Sequence, residues 1–152
     1  MNIVLLQPEI PQNTGAIGRT CLAAGCRLHL VHPLGFFINA KTLQRSGMDY
    51  WEKLDVCHYD DFADFMHKNP HAALCFVDTF AAANYNEIEY APNDFLIFGG
   101  ESKGISPDMV RDFGGRCVKI PMAGDARSLN LSVSVGIVLY EALRQNGFCG
   151  LR

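Results

Sequence analysis

The sequence predicts an α/β domain with a mainly parallel sheet and helices on both faces. Short apolar runs alternate with helix-forming stretches, the order that repeated βα units produce. Several runs, including residues 2–6 and 72–77, are continuously apolar instead of alternating, as strands covered on both sides are. With 152 residues the chain suffices for one domain with a real core and is too short for two ordinary ones. A single domain over residues 1–152 is therefore expected, with no internal repeat, linker or low-complexity tract.

Each element has its own signal. Residues 2–6 read as a buried strand that ends at Gln7-Pro8. Asn13, Thr14 and Gly15 open a helix to Ala24, with Asn13 or Thr14 as N-cap and Gly25 as C-cap. Ile17, Cys21 and Ala24 form its apolar stripe. Residues 27–32 give a second strand, stopped by Pro33. Residues 34–53 lack a clear period, with a short helix expected at 40–45. Their aromatic and basic residues, Phe36, Phe37, Lys41, Arg45, Tyr50 and Trp51, suit a functional loop or an ordinary cover over the core. Strands are expected at 54–59, 72–77, 95–98 and 117–120. Asp60 and Asp61 cap a helix to Lys68, and Ser106-Pro107 starts another. Residues 80–91 read as a loop or irregular helix. The segment 131–143 is apolar almost all round, which predicts burial on more than one face, in the core and against the partner of a dimer.

Composition removes several classes. Apolar residues make up 49% and charged residues 19%, a globular balance. No basic region follows Met1 and no apolar run approaches a membrane span, so neither a secretory signal nor a membrane segment is expected. The six cysteines form no CxxC pair and have no histidine cluster beside them. Free thiols in a reducing, cytoplasmic setting are expected, without disulfides or a metal. A net charge of −3 argues mildly against binding nucleic acid by charge alone and allows a local basic patch.

Three segments that follow strands carry the unusual residues: 7–19, 99–104 and 121–132. In an open parallel sheet, ligands bind beyond the carboxyl ends of strands. Gly99-Gly100-Glu101-Ser102-Lys103-Gly104 allows close approach of backbone to a ligand, or simply a tight turn with glycines at positive φ. It is neither a P-loop nor GxGxxG. Arg19 is off the core stripe, either solvated or aimed at a phosphate or developing oxyanion. Arg127 has the same two readings. Ser128 lacks a GxSxG elbow, and His29, His32, His58, His67 and His71 make no triad with it, so a capping serine is the simpler reading. Asn130 can orient a ligand or cap the next helix.

Together, NTGAIGR (residues 13–19), FGGESKG (98–104) and IPMAGDARSLNLS (120–132) resemble the three ordered motifs of SpoU-type SPOUT RNA 2′-O-methyltransferases. The resemblance extends from NIVLLQPEIPQNTG near the start to YEALRQ near the end. It is greatest to the compact members, catalytic domain alone, that methylate cytidine or uridine 34 of tRNA. It implies an α/β fold with a trefoil knot in the C-terminal half, a rare exception among folds. It also implies S-adenosylmethionine as cofactor and a homodimer whose active site is completed across the interface. By the resemblance, Arg19 is the main catalytic residue, helped by Asn13, Glu101, Ser128 and Asn130. The implied cofactor contacts are Val77, Asp78, Thr79, Gly99, Gly100, Glu101, Ile120, Met122, Ser128, Leu129 and Asn130. The matched members suggest leucine tRNAs as substrates. Ala16 and Gly100 depart from the Asn and Pro frequent in relatives and remove no proposed catalytic group.

Within the resemblance, a local basic surface of Arg19, Lys41, Arg45, Lys103 and Arg127 is expected to meet the RNA. Stacking of Phe36, Phe37, Tyr50 or Trp51 on an anticodon base is a further expectation. The alternatives are methylation of another RNA site, such as ribosomal RNA, and a nucleotide- or anion-binding module without catalysis.

Overall fold

The structure, a computed structural model, describes residues 1–38 and 50–152. The expected helix at 40–45, with Lys41 and Arg45, lies outside the described residues. The strands are β1 (Asn2–Leu6), β2 (Arg27–Val31), β3 (Val56–Tyr59), β4 (Leu74–Val77), β5 (Ala83–Asn84), β6 (Phe95–Gly99) and β7 (Arg116–Lys119). The α-helices of the described residues are α1 (Pro11–Ala24), α2 (Phe62–Lys68), α3 (Pro107–Phe113) and α4 (Leu131–Gln145), and Trp51–Lys53 forms a 3-10 turn.

Among the described residues the seven strands make one sheet in the order β3-β2-β1-β6-β4-β7-β5, and every pairing within it is parallel. Strand order departs from chain order where β6 inserts between β1 and β4. Such a switch point opens a crevice at the carboxyl ends of the strands.

Burial explains the continuously apolar runs. Ile3, Val4 and Leu5 are all fully buried although successive side chains point to opposite faces. Ile3 and Leu5 pack with Ile17 and Cys21 of α1 and Val135, Val138 and Leu139 of α4. Val4 and Leu6 pack with Phe62 and Phe65 of α2, and with Phe76 and Ile97. The result is a sheet with helices on both faces.

Several local expectations change. Helix α1 begins at Pro11, with Ile10 as its N-cap, because proline at the first position has no N–H to leave unpaired. Asn13 and Thr14 are therefore inside the helix and buried. Residues 80–91 form no helix; Ala83–Asn84 pairs with β7 at the sheet edge. Helix α4 buries Val135, Val138, Leu139, Ala142 and Leu143, yet leaves Val133 49% and Tyr140 45% exposed. Within one chain it is covered on one face only. All six cysteines are free thiols, three of them buried.

Candidate active site

The carboxyl ends of β4, β6 and β7 and the start of α1 surround a cavity of about 530 Å³. Val77, Asp78 and Thr79 reach it from β4, and Gly99, Gly100 and Glu101 from β6. Ile120, Met122, Ser128, Leu129 and Asn130 line it from the segment after β7. Asn13 of α1 joins them, and Lys103 and Arg127 bring cationic side chains to the wall. All the positions singled out by the resemblance thus meet at one place, except Arg19.

The motifs are tied together by side-chain hydrogen bonds. Asn13 Nδ2 donates to Glu101 Oε1 at 2.8 Å, and Asn130 Nδ2 donates to Asn13 Oδ1 at 3.0 Å. Glu101 also accepts from the backbone N–H of Glu9 at 2.8 Å and of Ile10 at 3.3 Å. Its carboxylate therefore sits at the entry to α1, where free N–H groups favour negative charge. Asn130 Oδ1 accepts from Ser132 N at 2.9 Å, so Asn130 caps α4, and Ser128 does not. Capping leaves the Asn130 amide nitrogen for Asn13, so one side chain serves both tasks.

Glu9 completes the junction and gave no signal in the sequence. Its Oε1 accepts from Ser102 N at 3.0 Å and Ser102 Oγ at 2.6 Å. These bonds hold its carboxyl below the ordinary carboxylate range. The partners are 93 positions apart, beyond any local pattern.

The glycines serve close packing. A Cβ on Gly99 would lie 2.1 Å from the Gly104 carbonyl carbon, and one on Gly100 would lie 2.6 Å from the Gln7 carbonyl oxygen. Of the three, only Gly104 has positive φ, at 62°. The loop thus folds against its own backbone and the end of β1. Asp78 fixes it from below: Oδ1 accepts from Thr79 N at 2.7 Å and Oδ2 from Ile105 N at 2.8 Å.

Arg19 lies on the exposed side of α1 and is not among the residues lining the cavity. Its guanidinium carbon stands 5.2 Å from the centroid of the Tyr50 ring. Phe37 is 86% exposed. Among the described residues, no group of three or more His, Cys, Asp or Glu side chains is placed to hold a metal.

The SpoU rRNA Methylase family matches residues 1–140. The chain belongs to the SpoU rRNA methylase family. Among SpoU relatives, a tRNA (cytidine(34)-2′-O)-methyltransferase of Yersinia pestis is 41% identical, over 99% of this chain and 96% of the relative. One of Polaromonas sp., with the same name, is 40% identical over 98% and 93% of the two chains. A solved structure described in terms of the 2-OH methylation of C/U34 on tRNA superposes with a TM-score of 0.89 at 41% identity. The match covers 96% of this chain and 95% of that one. An AdoMet-bound rRNA methyltransferase of Sinorhizobium meliloti superposes with a TM-score of 0.82 at 28% identity. That match covers 94% of this chain and 55% of the other. The parallel sheet and its three-motif crevice are thus the SpoU fold.

Proposed function

We propose that this protein is an S-adenosylmethionine-dependent enzyme that methylates the ribose 2′-hydroxyl of cytidine or uridine 34 in tRNA. The observation that carries the reading is the single cavity where three separate motifs meet, locked by Asn13 between Glu101 and Asn130. The relatives named for position 34 match this chain over nearly their whole length. The rRNA methyltransferase neighbour is much longer, and this chain spans 55% of it. That difference favours tRNA over ribosomal RNA. Membership of a methylase family disfavours a module without catalysis.

The lining fits the cofactor in size and chemistry. About 530 Å³ is within the usual range for small-molecule sites. Ile120, Met122 and Leu129 offer apolar contact for a purine, and Asp78, Ser128 and Asn130 offer polar groups for the ribose and amino-acid ends. When bound, S-adenosylmethionine supplies an electrophilic methyl group.

The chain's own residues then have distinct roles. Glu101 accepts three hydrogen bonds and acts as a clamp that fixes the start of α1 against the glycine loop. Asn13 and Asn130 hold the third motif in the same frame. A guanidinium stays protonated at working pH, so Arg19 is suited to stabilising negative charge on the attacking oxygen or orienting a phosphate. Lys103 and Arg127, on the cavity wall, bring positive charge that would suit the RNA backbone.

Arg19 stands off the cavity of its own chain, and α4 exposes Val133 and Tyr140. The reading therefore includes a homodimer in which Arg19 serves the partner's cavity. A trefoil knot, a single catalytic domain over residues 1–152, a cytoplasmic setting, leucine tRNA substrates and no metal complete it. No helix among the described residues is long and apolar enough to cross a membrane. Incubation with total tRNA and methyl-labelled S-adenosylmethionine tests the reading. Label in tRNA is expected; absence of label from all RNA would overturn it.

A further inference from the structure

We infer that Tyr50 is a positioning residue for Arg19, an inference that rests on the functional role proposed for Arg19. Tyr50 meets Arg19 at two points. The Tyr50 hydroxyl donates to the Gly15 carbonyl oxygen in α1. In an α-helix that carbonyl also accepts from the N–H four residues on, which is Arg19. At the other end, the Arg19 guanidinium stands over the Tyr50 ring, 5.2 Å from carbon to centroid. One aromatic side chain thus touches the backbone that carries Arg19 and the charge that Arg19 presents.

The turn that carries Tyr50 is itself docked on α1. A Cβ on Gly18 would lie 3.0 Å from Leu54 Cδ2 and 3.1 Å from Trp51 Cζ3, so Gly18 admits both side chains against the helix. Lys53 N donates to Tyr50 O at 2.9 Å, which closes the turn. Leu54 is buried in the core cluster that includes Ile17 and Cys21. Tyr50 is therefore held by a packed element.

An exposed arginine samples many rotamers, and ordering one has an entropic cost. A ring beneath the guanidinium and a hydroxyl fastened to the same helix favour one orientation before RNA arrives. Tyr50 does not line the cofactor cavity. Its effect is therefore expected on turnover and not on cofactor affinity.

The test compares Tyr50→Leu, Tyr50→Phe and Arg19→Ala. Each is measured for kcat, for KM with tRNA and for binding of S-adenosylmethionine, and the two Tyr50 variants and the parent also for the NMR signal of the Arg19 Nε–H group. Tyr50→Leu is expected to lower kcat roughly tenfold, leave cofactor affinity unchanged and shift the Arg19 signal. Tyr50→Phe keeps the ring and is expected to stay within about threefold of the parent in kcat, with the guanidinium still stacked. An unmoved Arg19 signal, a kcat within twofold in Tyr50→Leu, or an equal loss of cofactor affinity would overturn the inference. Full activity in Arg19→Ala would overturn the role of Arg19 and the inference with it. An inactive Arg19→Ala beside a fully active Tyr50→Leu would overturn the inference alone.

Discussion

Asn13 is bonded on both sides, to Glu101 through Nδ2 at 2.8 Å and to Asn130 through Oδ1 at 3.0 Å. These two bonds join residues 88 and 117 positions apart in the chain. Asn13 is 8% exposed, so water does not readily replace either partner. Asn13→Ala is expected to lose about 2 kcal/mol of stability and to weaken cofactor binding. Asn13→Asp should be worse at neutral pH, because it sets a second carboxylate against Glu101 and cannot donate. Urea unfolding and cofactor titration check both variants.

Backbone packing in the glycine loop leaves no room for a methyl group. Gly99→Ala would bring its Cβ within 2.1 Å of the Gly104 backbone. The loop must move, at a cost of roughly 2 kcal/mol or more, and cofactor binding should fall with it. Gly124→Ala is the control, since nothing lies within 4 Å of a Cβ there. Equal cofactor affinity in the two variants would contradict this account of the loop.

His29 makes stability depend on pH. It is 1% exposed, with Nδ1 2.8 Å from the Tyr59 hydroxyl and Nε2 3.2 Å from Asn2 Oδ1. The amide oxygen takes an N–H from Nε2 and the tyrosine donates to Nδ1, which is the neutral ring. Burial lowers its pKa to about 4. The unfolded chain takes up this proton near the ordinary value of 6.5, the folded chain only near 4. Between those values the unfolded state binds more protons, so stability falls as pH falls. The loss is on the order of 3 kcal/mol and complete below both values. His29→Gln should flatten this part of the urea-midpoint profile between pH 6.5 and 4 relative to the parent.

Thr14 is fully buried in α1, and among the described residues its hydroxyl finds no hydrogen-bond partner. Valine has nearly the same shape and no polar atom to desolvate. Thr14→Val is expected to raise stability by about 1 kcal/mol, read as a higher urea midpoint at unchanged slope. A lower midpoint would mean that the hydroxyl is satisfied in solution.

The sheet was legible because burial on both faces writes itself into continuous apolar runs such as residues 2–6. Gly25 and Asp61 were legible as caps because capping uses neighbours in sequence. The N-cap of α1 lies at Ile10, three residues before Asn13, which resembles an N-cap until Glu101 and Asn130 claim its side chain. The capping reading of Ser128 fails because Asn130, two residues on and the other capping candidate in the sequence, takes the cap. Glu9 was invisible because its role exists only once β1 and β6 lie side by side. The exposed side of α4 could not be read from composition, which shows apolar residues without showing which of them a single chain covers.

The most direct measurement is the position of the methyl group. Purified protein is incubated with S-adenosylmethionine and leucine tRNA transcripts, one set normal and one with a 2′-deoxynucleotide at position 34. The account predicts 2′-O-methylation at nucleotide 34 of the normal transcript and none in the deoxy transcript. Methylation elsewhere, equal labelling of both transcripts, or no methylation of either would contradict it.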